Sequence, residues 1–110
     1  MSKDEVRLRH MLEAARKAVQ LAQGRTREAL EADETLTLAL TRLLEILGEA
    51  AKGISEEAKR RTSGIAWKEI AGTRDRLIHG YFDVDLDIIW QIVTKDLPPL
   101  IAHLEKLVAE

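Results

Sequence analysis

Apolar residues recur at the three-and-four spacing of an α-helix along most of this chain, so helices are predicted before anything else is considered. Leu8, Met11, Leu12, Ala15, Val19 and Ala22 form one stripe. Ser2 and Glu5 ahead of it have capping-box spacing and Gly24 closes it, which predicts a first helix over about 3–23, with His10 on its opposite face. A second stripe, Leu36, Ala39, Leu40, Leu43, Leu47, Ala50 and Ala51, predicts a helix from Asp33 or Thr35 to around Gly53. Between the two, Thr26 to Ala32 is polar and has room for only a short helical turn. Ser55 followed by Glu56 and Glu57 reads as an N-cap with acidic residues that complement the dipole, opening a short helix that runs out near Thr62-Ser63-Gly64. A third main helix is predicted from Ala66 to His79, with Gly80 as terminator. Asp83 or Asp85 can cap the last segment, where Leu86, Ile89, Trp90, Val93, Leu97, Leu100, Ile101, Leu104 and Val108 keep one helical phase through Pro98-Pro99. The prolines remove the donors for the carbonyls of Thr94 and Lys95, so this reads as one bent element or two nearly collinear ones over about 85–109, with Asp96 capping the restart.

No segment alternates like a strand and no repeat of fixed period is present. The expected fold is therefore all-α, an up-and-down bundle of four to five helices with the last one bent at Pro98-Pro99, in a single domain over 1–110. Leu38, Ile88 and Ile92 lie off the main stripes and are candidates for burial by a partner chain. The chain has 110 residues, 33% of them charged, with a net charge of −2. That balance excludes coating nucleic acid by bulk electrostatics, so any RNA contact must be local. The absence of cysteine excludes disulfides, a thiolate nucleophile and Cys-ligated zinc. The N-terminus lacks the apolar core of a signal peptide and no apolar run is long enough for a membrane span, so a cytoplasmic protein without membrane contact is expected.

One residue does not fit the pattern. On a helical wheel for 66–79, Trp67, Ile70, Ala71, Leu77, Ile78 and Tyr81 occupy one arc and Arg74 falls near its middle. A guanidinium aimed along an apolar face needs a partner: Glu45 or Glu49 on the second helix, the Tyr81 hydroxyl, or a phosphate. Taken alone, each residue has a plain structural reading. Arg74 serves in an ion pair, His79 sits at a helix C-terminus, and Tyr81 packs. Trp67 and Trp90 read as core or interface filler. Lys59-Arg60-Arg61 with Lys68 and Arg76 reads as a solvated basic surface. His10 and His103 lack partners at metal-site spacing, and there is no Gly-rich phosphate loop, so neither a metal nor a cofactor is expected.

Arg74, His79 and Tyr81 together spell R-x4-H-x-Y. With the flanking stretches Arg42-Leu43-Leu44-Glu45-Ile46-Leu47-Gly48-Glu49-Ala50-Ala51-Lys52, Ala66-Trp67-Lys68-Glu69-Ile70-Ala71-Gly72-Thr73-Arg74-Asp75 and Tyr81-Phe82-Asp83-Val84-Asp85, the chain resembles HEPN domains. The likeness is to the small HepT-like toxins of HEPN–MNT toxin–antitoxin pairs and covers nearly the whole sequence. It implies a metal-independent endoribonuclease whose cleft forms where two copies of the motif helix meet in a homodimer. Arg74 would hold the phosphate and His79 would transfer protons. The resemblance also implies a cognate minimal nucleotidyltransferase antitoxin that moves AMP from ATP to Tyr81. Arg42, Glu45, Glu49 and Asp75 are the candidate supporting residues. The alternative is a non-catalytic helical binding module that serves a nucleotidyltransferase as substrate or scaffold, with Arg74 purely structural.

Overall fold

The computed structural model describes residues 2–79 and 83–108. Helix α1 (Lys3–Ala22) begins as the capping box requires: Glu5 N–H donates to Ser2 Oγ at 3.0 Å while the Glu5 carboxylate faces Ser2 N–H at 3.5 Å. Its chain reversal uses Gly24 at φ 75°, a left-handed conformation that costs a side-chain-bearing residue about 1–2 kcal/mol. A four-residue turn, α2 (Ala29–Ala32), leads to α3 (Glu34–Lys52), capped by Asp33 through Leu36 N–H at 3.1 Å. Helix α4 (Glu56–Arg61) is capped by Ser55, whose N–H and hydroxyl both donate to Asp4 and so tie this short helix to the start of α1.

The predicted third helix is not one helix. It divides at Gly72 into α5 (Trp67–Ala71) and α6 (Thr73–Leu77) and stops two residues early. Ile78–His79 is a short strand, β1, paired antiparallel with β2 (Asp83–Val84) in the register Ile78 with Val84 and His79 with Asp83. The helix ends there because the Leu77 carbonyl accepts from Asp85 N–H at 2.7 Å, an acceptor spent on the returning strand. Two residues per strand are too few to show alternation, which is why the sequence pattern reads helical through His79.

From Asp85 onward the chain is helical without a gap: α7 (Leu86–Gln91), a π-helical turn (Ile92–Asp96) and α8 (Leu97–Leu107). The extent matches the predicted bent element, but the irregularity precedes the prolines. A proline ring clashes with the carbonyl four residues back in an α-helix. The wider turn, in which Leu97 N–H reaches Ile92 O five residues back, relieves that clash. Asp96 makes no side-chain cap, so that expectation is corrected: the chain never leaves the helix and there is no restart to cap. The core is built mainly from helices, with Met11, Leu40, Leu44, Leu47, Leu77, Ile89, Leu97 and Leu104 sealed in its centre and Ile54 and Ile65 added from the connections. Ile92 belongs to that core at 3% exposure, so it is not a residue awaiting a partner chain. Leu38 keeps that character at 61% exposure, and Ile88 is half-buried. No described helix is long and apolar enough to cross a membrane.

Candidate functional site

Helix α6 is held by its two buried residues one turn apart, Thr73 and Leu77. Thr73 donates its hydroxyl to Ile70 O at 2.7 Å, closing the bend at Gly72. Behind the bend stands Gly48 of α3, where a Cβ would lie 3.1 Å from that same carbonyl, so α3 and α5 approach as closely as a bare Cα permits.

With Thr73 and Leu77 inward, Arg74 points out. Its side chain is 64% exposed, which overturns the expectation of a guanidinium sunk in an apolar face. The wheel assumed one continuous helix, and the break at Gly72 separates Arg74 from the arc of Trp67, Ile70 and Ala71. Among the described residues its partner is Glu45, with Nε 3.6 Å from Oε2. Glu45 is itself only 22% exposed, and its other oxygen faces Arg42 Nη1 at 3.9 Å. One carboxylate thus stands between two cations, holding the Nε edge of Arg74 and leaving the paired Nη edge, the fork that fits two phosphate oxygens, directed elsewhere. Glu49 is not part of this group; it pairs with Lys52 at 3.8 Å. Asp75 is exposed and makes no side-chain bond among the described residues.

His79 lies on the strand immediately beyond α6, 61% exposed. Arg74 and His79 are linked through backbone, because Ile78 N–H donates to Arg74 O, and three helical rises plus two strand steps put their Cα atoms at most about 11 Å apart. They make no direct bond to each other. What His79 does meet is Asp85, whose Oδ2 is 3.3 Å from Nε2. The other oxygen of Asp85 caps α7 by accepting from Ile88 N–H at 3.1 Å. That hydrogen bond first, and the one from His79 second, hold the Asp85 carboxyl below its ordinary value of 3.8. Sequence reading assigned Asp85 a capping role and missed this second contact. The available signal was an acid six residues past the histidine, legible only once the hairpin between them is known. Tyr81 lies outside the described residues.

A cavity of about 300 Å³ opens between α5, α6 and the C-terminal helical run, lined by Ile65, Ile70, Thr73, Arg76, Lys95 and His103 among others. Neither Arg74 nor His79 lines it, so in a single protomer the motif side chains stand on a surface. Among the described residues no three His, Asp or Glu side chains gather as a metal-holding group.

Comparison with known proteins gives one consistent answer. “Putative RNase TTE0752” of Caldanaerobacter subterraneus subsp. tengcongensis is 42% identical over 94% of this chain and 88% of its own length. “Probable ribonuclease HepT” of Thermococcus cleftensis is 41% identical over 87% of this chain and 91% of its own. “Putative RNase MJ1380” of Methanocaldococcus jannaschii is 32% identical over 96% and 98%. No solved structure matches significantly. The sequence model described as Ribonuclease HepT-like matches residues 11–107, and the chain belongs to that family.

Proposed function

We propose that this protein is a metal-independent endoribonuclease, the toxin of a toxin–antitoxin pair, and that it cuts RNA by attack of a 2′-hydroxyl on its own phosphodiester. The observation that carries the reading is the pairing of an exposed arginine fork with an exposed histidine on consecutive elements, each oriented from behind by a carboxylate. The 2′-hydroxyl supplies the nucleophile, so the protein has to move protons and stabilise charge. His79 takes the 2′-hydroxyl proton or returns one to the 5′-oxygen leaving group. Arg74 receives the phosphate and the charge that develops on it. One histidine per chain is one proton-transfer group, and the surface around it offers RNA only one wall. A second copy of the chain across a two-fold axis would supply both the second histidine and the second wall. Leu38 supports this: it is the most exposed large apolar side chain among the described residues, one helical turn from Arg42 and two from Glu45 on the same face of α3.

Silencing follows from Tyr81 in the same motif. A minimal nucleotidyltransferase partner would direct the Tyr81 phenol oxygen at the α-phosphorus of ATP. The new bond links tyrosine to AMP, pyrophosphate leaves, and the phenol proton passes to a base of the partner. A phosphodiester added to Tyr81, two residues past His79 in sequence, brings negative charge and bulk that repel RNA phosphate.

The test is incubation of the purified protein with RNA in excess chelator, alongside Arg74→Ala and His79→Ala. Cleavage by the wild type and a loss of about 10²-fold or more in each variant are expected. Undiminished cleavage by both variants would overturn the assignment. No cleavage by wild type, together with AMP transfer to Tyr81, would leave the binding module as the correct reading.

A further inference from the structure

The carboxylate behind His79 decides which of the two ring nitrogens does the chemistry. Asp85 is held at three points: its N–H donates to Leu77 O at 2.7 Å, Oδ1 accepts from Ile88 N–H at 3.1 Å, and Oδ2 faces His79 Nε2 at 3.3 Å. The first fixes its backbone to the end of α6. The second fixes the rotation of the carboxyl group, because an N-cap that turned away would leave the α7 donor unsatisfied. The position of Oδ2 is therefore set by the fold before the imidazole arrives.

An ionised carboxylate only accepts hydrogen bonds, and neutral imidazole has one N–H. The nitrogen that faces Asp85 must carry the proton, so Nδ1 keeps the lone pair. We propose that Asp85 is the positioning residue of His79, holding Nε2–H so that Nδ1 is the atom that takes up and returns the proton. The ring is 61% exposed, which leaves Nδ1 reachable by a substrate, whereas Asp85, 32% exposed, stands behind the ring. The 3.3 Å separation is long for a charge-assisted bond, and such bonds commonly shorten once substrate is bound. The catalytic part of this inference rests on the ribonuclease reading above; the choice of tautomer does not.

Asp85→Asn separates the two roles of the carboxylate. Asparagine is as good an N-cap as aspartate, so its Oδ1 keeps Ile88 and its amide nitrogen turns to His79. An amide nitrogen donates, and His79 Nε2 must then accept, which moves the ring proton to Nδ1. Asp85→Ser retains a cap but is too short to reach the ring. The experiment is ¹⁵N NMR of the neutral His79 ring in the three proteins without RNA, followed by steady-state cleavage kinetics. Wild type should show Nε2 protonated, Asp85→Asn should show Nδ1 protonated, and Asp85→Ser should show the mixture of an unheld imidazole. For Asp85→Asn kcat should fall by about 10²–10⁴-fold with KM nearly unchanged. Identical His79 spectra in all three proteins would overturn the positioning role. A tautomer change with kcat unaltered would overturn its catalytic part. If wild type cuts no RNA while the spectra shift as expected, the ribonuclease reading fails and the tautomer assignment stands.

Discussion

Glu45 is one of the two carboxylates that the sequence offers Arg74, and the structure selects it over Glu49. On a helical wheel it sits with Arg42 and Glu49 on a polar face, and the default for such a face is solvent. In the fold it is mostly covered, and each of its oxygens meets a different guanidinium, Arg42 at 3.9 Å and Arg74 at 3.6 Å. Neither distance is that of a strong bond, and a pair with Arg74 so exposed is worth at most about 1 kcal/mol of stability. In the proposed mechanism the value of Glu45 is orientational: it engages Nε and leaves the Nη edge of Arg74 for phosphate. Glu45→Gln should therefore melt close to wild type yet cleave RNA about tenfold more slowly, the low end of what loss of an orienting partner costs around metal ligands. Glu49→Gln, which touches only Lys52, is the matched control and should cleave as wild type does. Equal rates for the two variants would remove Glu45 from the site.

Helix boundaries show where the sequence is readable and where it stops. Caps are local chemistry, and Ser2, Asp33, Ser55 and Asp85 all cap the helices whose starts their side chains announce. The break at Gly72 and the hairpin at Ile78 are not local. The first depends on α3 pressing Gly48 against the Ile70 carbonyl, the second on a donor from Asp85 eight residues ahead of Leu77. Gly48 and Ile70 are too far apart for one window of sequence to hold both, and Leu77 and Asp85, though only eight residues apart, meet through a strand pairing that a wheel drawn for one continuous helix does not show. That is also why Arg74 was expected in the apolar arc. Gly48→Ala tests the first contact. Alanine gains about 1 kcal/mol of helix propensity, but its Cβ meets a backbone carbonyl at 3.1 Å that cannot rotate away, and overpacking of that kind costs about 1–3 kcal/mol. A net loss of about 1 kcal/mol is expected, a drop of several degrees in Tm, whereas an increase in Tm would show that α5 yields freely. Caps also set the acid limit. The carboxyl of Asp33 lies below 3.8, held there first by the Leu36 N–H and then by Arg25, and Asp4 lies below it through the hydroxyl and N–H of Ser55. A depressed carboxyl stabilises fully above its unfolded value, near 3.9, and loses that contribution as pH falls through the lower folded value. Urea midpoints should be flat with respect to these groups from pH 7 to 5 and should decline below about pH 4. Asp33→Asn, which keeps the cap without the charge, should show a shallower decline, and an unchanged acid slope would contradict the assignment.

The chain as a whole is a helical scaffold that carries two small polar groups, Arg42, Glu45 and Arg74 in one and His79 with Asp85 in the other. Helix α3 supplies Glu45 and Arg42, α6 supplies Arg74, the two-residue strand supplies His79, and the cap of α7 supplies Asp85. Family membership and helical class were legible from motif and periodicity, since both are written in contiguous residues. The supporting carboxylates were only partly legible, because they come from elements far apart in sequence that the core brings together. Leu38 on the Arg42–Glu45 face of α3, and the absence of Arg74 and His79 from the cavity beside α5 and α6, are what the proposed second copy would leave on each protomer. The central claim is chemical: the 2′-hydroxyl of RNA is the nucleophile, and Arg74 and His79 serve its attack. The most direct measurement is end-group analysis of the products made in excess chelator from an RNA oligonucleotide and from the same sequence carrying 2′-O-methyl groups. Cyclic 2′,3′-phosphate and 5′-hydroxyl ends from the first and no cutting of the second are predicted. Cleavage of the methylated strand, or products ending in 3′-hydroxyl and 5′-phosphate, would contradict the mechanism.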